Sequence, residues 1–107
     1  MKNLPSEDRA TPMTIDEINE AMENLSPEWN VVDQHHLIRS FKFKNFREAL
    51  AFAQEIGVSA EEENHHPDIL IKYGEVTITL FTHNVNGISK KDFTLAHKIE
   101  SDFSSFK

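Results

Sequence analysis

The sequence predicts an α+β domain in the order α-β-β-α-β-β-α, with a four-stranded antiparallel sheet and three helices on one face. Three capping boxes each precede an apolar stripe of helical spacing; they are Thr14-x-x-Glu17, Asn45-x-x-Glu48 and Ser89-x-x-Asp92. Between them lie two pairs of short alternating segments, a pattern typical of antiparallel hairpins with one buried face. A chain of 107 residues suffices for one domain, and helices on one side of the sheet are the simplest arrangement.

The first half of the chain gives one helix and one hairpin. The helical stripe comprises Ile15, Ile18, Met22 and Leu25, and Ser26-Pro27 ends the helix. A strand from Trp29 to Val32 and a second from Leu37 to Phe43 flank the polar turn Asp33-Gln34-His35. Arg39 interrupts the apolar face of the second strand. Trp29 is expected in the core rather than stacked on a ligand.

The second helix contains a glycine, which leaves its length open. Gly57 could end the helix as a left-handed cap, or lie inside a longer one at a cost of about 1 kcal/mol. Good helix formers follow it, which favours a helix over about residues 45–64. Pro67 disfavours helical geometry at His66, so the helix should end by His65. The predicted apolar stripe is Phe46, Ala49, Leu50, Ala53 and Ile56, with Phe52 beside it.

The second half continues with another hairpin and a last helix. Ile69, Ile71 and Tyr73 alternate in one strand, Gly74-Glu75 forms the turn, and the second strand alternates from Val76 to Phe81. The last helix has a stripe of Phe93, Leu95, Ala96 and Ile99. Its tail, residues 101–107, is expected to fray. Residues 1–12 are predicted to be a mobile arm, and residues 13–107 a single domain.

Composition excludes several classes of function. There is no cysteine, so disulfide and thiolate chemistry are excluded and a reducing cytoplasm is the expected location. No apolar run approaches the roughly 20 residues of a membrane helix. The formal charge of −7 disfavours nucleic-acid binding. The small basic clusters, Lys42-Lys44-Arg47 and Lys90-Lys91, are expected to be solvated surface.

The candidate chemistry lies between Glu61 and His83. Glu61 precedes His65 by four residues, so the two should share a helix face, where the carboxylate could orient the imidazole and fix its tautomer. His66 follows directly, and His83 ends a strand, on the parity opposite to the core or at the rim of the sheet. Imidazoles that converge there could perform acid–base catalysis near neutral pH.

Each residue also has an ordinary explanation. A single histidine at a helix end is often a cap, Asp92 is explained by its capping box, and Tyr73 by its strand. His35 and His36 resemble turn residues, and His97 a helix-surface residue. Three histidines and a glutamate could also bind zinc. However, adjacent histidines diverge and no HxH or HxxxH spacing is present, so a metal site is the less favoured interpretation.

The motif Glu61-x3-His65-His66-Pro67-x5-Tyr73-x9-His83-x8-Asp92 resembles that of the pterin-4a-carbinolamine dehydratases. The resemblance extends over about residues 14–103. It implies the fold predicted above, assembly into dimers or tetramers, and dehydration of 4a-hydroxytetrahydropterin to quinonoid dihydropterin and water, without a metal or an organic cofactor. By position it implies His65, His66, His83 and Glu61 as catalytic residues, and Asn64, Pro67, Thr82 and Asp92 as pterin-binding residues.

Within that resemblance we expect His66 and His83 to share the role of acid, with His65, positioned by Glu61, as base. The alternative is a non-catalytic binding protein, because the family scaffold also serves as a transcriptional coactivator and an assembly chaperone. Retention of every motif residue favours the enzyme. Gly57-Val58-Ser59, the pair His35-His36 and the N-terminal arm lie outside the motif.

Overall fold

The structure, a computed structural model, describes residues 11–106. The first ten residues of the predicted N-terminal arm, and Lys107, lie outside the described residues. The order of elements is the predicted one: α1 (Ile15–Met22), β1 (Asn30–Val32), β2 (His36–Lys42), α2 (Phe46–Glu63), β3 (Asp68–Lys72), β4 (Glu75–Leu80), a short 3₁₀ helix η1 (His83–Val85) and α3 (Lys90–Phe106).

The four strands form one antiparallel sheet in the order β1-β2-β4-β3. The two central strands pair Arg39 with Ile78, and β3 pairs Ile69 with the same Ile78. Alternate residues of β2 and β4 are completely buried against the helices; they include Leu37, Phe41, Val76, Ile78 and Leu80. The predicted fold class is therefore confirmed.

The second helix is the longer of the two alternatives, and Gly57 lies inside it with open space around its Cα. The predicted stripe was wrong in part, because Phe46 and Leu50 are exposed. The buried face is Ala49, Phe52, Ala53, Ile56 and Ala60. These positions recur at three, four and seven residues, so the face is still a helical stripe, centred on Phe52 and Ile56.

The C-terminal tail does not fray, contrary to the prediction, because α3 continues to Phe106. The Phe103 ring lies 4.8 Å from Phe41, and the Phe106 ring lies 5.6 Å from Phe43 and 5.5 Å from Phe52. Aromatic pairs of this kind contribute about 0.5–1.5 kcal/mol each beyond area burial. Two apolar anchors therefore hold the last turns on the domain.

Arg39 interrupts the apolar pattern of β2 because it belongs to a buried polar contact. Its Nε lies 2.9 Å from Oε2 of Glu100, and the indole N–H of Trp29 donates to the same oxygen at 2.7 Å. The Arg39 N–H is not aligned for a hydrogen bond, so this contact is an ion pair only. The guanidinium also lies 4.0 Å over the Phe41 ring. Trp29 is in the core, as predicted.

Candidate active site

The C-terminus of α2 directs the two adjacent histidines to different environments. Asn64 caps the helix in the left-handed conformation (φ 52°), and the N–H of His65 donates to the carbonyl of Ala60 at 3.1 Å. A left-handed residue followed by this six-to-one bond is the Schellman motif, in which asparagine is a common substitute for glycine. The turn buries His65, 8% exposed, and leaves His66 exposed.

His65 is bound to a buried carboxylate. Its Nε2 lies 2.6 Å from Oδ1 of Asp92, which is completely buried at the start of α3. The other carboxylate oxygen accepts the Thr82 hydroxyl at 2.8 Å and the Ser89 backbone N–H at 2.9 Å. Because three donors surround this carboxylate, its orientation is fixed, and so is that of the imidazole.

Glu61 has a different partner from the predicted one. Its Oε2 lies 2.6 Å from Nε2 of His66, not of His65. The prediction assumed that the helix continues through His65, whereas the left-handed cap at Asn64 rotates the chain out of the helical path. Both side chains of the Glu61–His66 pair are largely exposed.

A cavity of about 190 Å³ joins the end of α2 to the segment after β4. His83, the first residue of η1, lies across it from the two helix-end histidines. Its lining comprises Asn64, His65, His66, Thr82, His83, Asn84 and Lys91. The structure thus brings five of the eight candidate site residues to one cavity. Asp92 lies behind His65, Glu61 lies behind His66, and Pro67 is not part of the lining.

Three residues of this region were missed by the sequence reasoning. Asn84 and Lys91 line the cavity, although Lys91 was predicted to be ordinary solvated surface. Ser89 is buried, and its hydroxyl contacts the Thr82 hydroxyl at 2.7 Å. For Lys91 and Ser89 the available signal was their position beside Asp92, since a buried helix start also brings its neighbours to the site.

Other parts of the described chain offer less chemistry. A larger hollow, about 700 Å³, is lined by Lys42, Phe43, Lys44, Glu48, Phe103 and Phe106 and includes no histidine. Within residues 11–106, no three histidine or carboxylate side chains are grouped to bind a metal ion. None of the described helices is both long and apolar enough to span a bilayer.

Comparison with known proteins identifies relatives over nearly the whole chain. A chain from Alkaliphilus metalliredigens is 47% identical over 103 residues, which is 96% of this chain and 93% of that one. A chain from Rubrobacter xylanophilus is 45% identical over 97 residues, 91% of this chain and 90% of that one. Both carry pterin-4-alpha-carbinolamine dehydratase as a provisional name.

Solved structures give the same result. A transcriptional coactivator/pterin dehydratase from Brucella melitensis has a TM-score of 0.78 and 37% identity, covering 84% of this chain and 96% of its own. A pterin dehydratase-like RuBisCO assembly factor of the alpha-carboxysome has a TM-score of 0.59 and 21% identity, covering 70% and 88%, and supports the fold alone. The family model for pterin 4 alpha carbinolamine dehydratase matches residues 11–101, and this chain belongs to that family.

Proposed function

We propose that the protein dehydrates 4a-hydroxytetrahydrobiopterin, or a related 4a-hydroxytetrahydropterin, to quinonoid dihydropterin and water during tetrahydropterin recycling. The observation that supports this most is the cavity where His65, His66 and His83 converge. Family membership supplies the reaction class, and the three imidazoles supply groups suited to it.

The reaction needs one acid and one base. The acid protonates the hydroxyl on C4a, and the C4a–O bond breaks to release water. The base removes the proton from N5, and the electrons of the N–H bond form the N5=C4a double bond. No electron acceptor is required, so acid–base side chains are sufficient, and a positioned one contributes roughly 10²–10⁴ in rate.

His65 is the proposed base, and Asp92 replaces Glu61 as the residue that positions it. The contact of Nε2 with the Asp92 carboxylate requires the proton to be on Nε2, because the carboxylate can only accept. Nδ1 then has the free lone pair that can take the N5 proton. The carboxylate also stabilises the imidazolium that forms.

His66 and His83 are the proposed acids. Both are exposed on the rim of the cavity, so water can return a proton to each after turnover. Asn64, Thr82 and Asn84 offer amide and hydroxyl groups for the polar edge of the pterin ring, and the cavity's position at the surface suits a substrate delivered from solution.

The test is a dehydratase assay on a freshly generated 4a-hydroxytetrahydropterin, followed by absorbance. The wild-type protein should accelerate dehydration, and His65→Ala and His83→Ala should each lose roughly 10²-fold or more of that activity. The exposed helical histidine His97, replaced by alanine, is the control. A wild-type protein without activity, or a His83→Ala variant with full activity, would contradict the proposal.

A binding role remains the alternative, because relatives include a protein titled as a coactivator and another titled as an assembly factor. The outer face of the sheet favours a protein partner or a second copy, since Leu70 is 54% exposed there. We propose a homodimer or homotetramer, no direct nucleic-acid partner and no membrane partner. Sedimentation gives the oligomeric state, and an inactive protein that still assembles would favour the alternative.

A further inference from the structure

We propose that His35, which lies outside the family motif, is a positioning residue for His83. The inference rests on the proposed function, in which His83 is an acid. His35 is on the β1–β2 turn, remote in sequence from the site, and it reaches His83 in two ways. One is a stack of aromatic rings through Phe81, and the other is a hydrogen bond to the end of η1.

The ring stack limits the movement of His83. The ring centroid of Phe81 lies 4.3 Å from that of His83 and 4.8 Å from that of His35. The interplanar angles are 50° and 37°. An exposed side chain would otherwise sample several rotamers. With Phe81 in contact with His35 on one side and His83 on the other, rotation of the His83 ring away from the cavity removes an aromatic contact.

The hydrogen bond ties His35 to the backbone that carries His83. Nε2 of His35 lies 3.0 Å from Oδ1 of Asn86. Asn86 ends η1 in the left-handed conformation, and its N–H donates to the carbonyl of His83 at 3.1 Å. The same imidazole therefore contacts both ends of the short helix, through Phe81 at its start and through Asn86 at its end.

The partner His36 completes this arrangement. Because Asn86 Oδ1 accepts, His35 carries its proton on Nε2, and its Nδ1 is an acceptor. The Nδ1 of His36 lies 3.1 Å away and donates to it. Donation from His36 fixes the tautomer of His35 that the Asn86 contact needs.

The turn itself does not need the His35 side chain. Asp33 and Gln34 both have a φ of 54°, and the backbone N–H of His35 closes the turn on the Val32 carbonyl at 2.9 Å. These are backbone features of a primed hairpin turn. Loss of the imidazole should therefore leave the hairpin in place and affect η1.

The experiment compares His35→Ala with two conservative variants. His35→Phe retains a ring for the stack, and His35→Gln retains a donor for Asn86. We expect His35→Ala to lower kcat roughly tenfold with KM within twofold, because misplacement of a catalytic group reduces rate rather than binding. Phe and Gln should each restore part of kcat. His97→Ala is the matched control and should match the wild type.

Two further measurements separate positioning from general damage. In a His83→Ala background, His35→Ala should cause no additional loss of kcat. By NMR, His35→Ala should shift the ring protons of His83 while those of His97 stay in place. The inference is overturned if kcat is unchanged, if the loss persists without His83, or if the His83 signals do not move. If the wild type lacks dehydratase activity, the proposed function fails, and the NMR comparison alone decides whether His35 positions His83.

Discussion

Two histidine–carboxylate pairs at the candidate active site have the same N···O distance, 2.6 Å, and very different surroundings. The side chains of His65 and Asp92 are 9% and 0% exposed, whereas those of His66 and Glu61 are 58% and 77% exposed. Exposed pairs typically contribute about 0.2–1 kcal/mol. Removal of one member of a buried pair costs about 3–5 kcal/mol, because it leaves an unpaired buried charge.

The difference indicates a division of labour. The buried carboxylate fixes one imidazole in a single tautomer and orientation, as a base requires. The exposed carboxylate only biases the other imidazole, which stays in contact with water and can be protonated again after each turnover. Distance alone does not distinguish these roles, whereas burial does.

The largest expected effect comes from breaking the buried pair. Asp92→Asn has nearly the same shape but loses the charge, and its amide no longer fixes the His65 tautomer. We expect kcat to fall by roughly 10²-fold and the free energy of unfolding to fall by about 3 kcal/mol. Steady-state assays and urea denaturation measure the two quantities. Wild-type activity in this variant would remove Asp92 from the account.

Replacement of the histidine across the cavity should separate activity from stability. His83→Ala should lose roughly 10²-fold in kcat, yet change the free energy of unfolding by less than about 0.5 kcal/mol, because its side chain is exposed. The same two assays apply. A strongly destabilised His83→Ala variant would show that the ring has a structural role that the contacts do not explain.

Breaking the exposed pair should have a smaller effect. Glu61→Gln retains an acceptor for His66 but loses the charge, so we expect less than a tenfold loss of kcat and under about 1 kcal/mol of stability. High salt should reduce the difference from wild type, since exposed charges are screened. If Glu61→Gln were as damaging as Asp92→Asn, burial would not be the property that distinguishes the pairs.

The smallest effect is expected at an ion pair remote from the cavity. A hydrogen bond from Lys42 holds the pKa of Glu75 below its ordinary value, and their N···O distance is 3.2 Å. Because the folded pKa is the lower one, the stabilisation is present above the ordinary value of 4.5 and is lost as pH falls through the folded pKa. The small Tm difference between the wild type and Lys42→Met should therefore narrow below pH 4.5. A difference that stays constant in acid would contradict this assignment.

The order of elements was predictable because local signals agree with the tertiary structure. The capping residues Thr14 and Asn45 accept the N–H bonds expected of them, and the alternation in β2 and β4 matches burial. Phe46 and Leu50 were misassigned because a sequence stripe two residues too wide cannot show which edge faces the sheet. The tail was misjudged because the partners of Phe103 and Phe106 lie far away in sequence.

The site was predictable in its membership and not in its pairing. The spacing indicated which histidines could converge, yet the partner of each depended on a single backbone conformation at Asn64. Asparagine before the His-His-Pro segment was a usable signal, since it is a frequent left-handed cap. The His35–Phe81–His83 stack required the sheet register, which no local pattern specifies.

The protonation pattern of His65 tests the central claim most directly. Nitrogen-15 NMR of the ring, with the wild-type protein at neutral pH, distinguishes a protonated from an unprotonated ring nitrogen. The account predicts a proton on Nε2, bound to Asp92, and a free lone pair on Nδ1. A proton on Nδ1 with Nε2 unprotonated would contradict both the contact with Asp92 and the role of His65 as base.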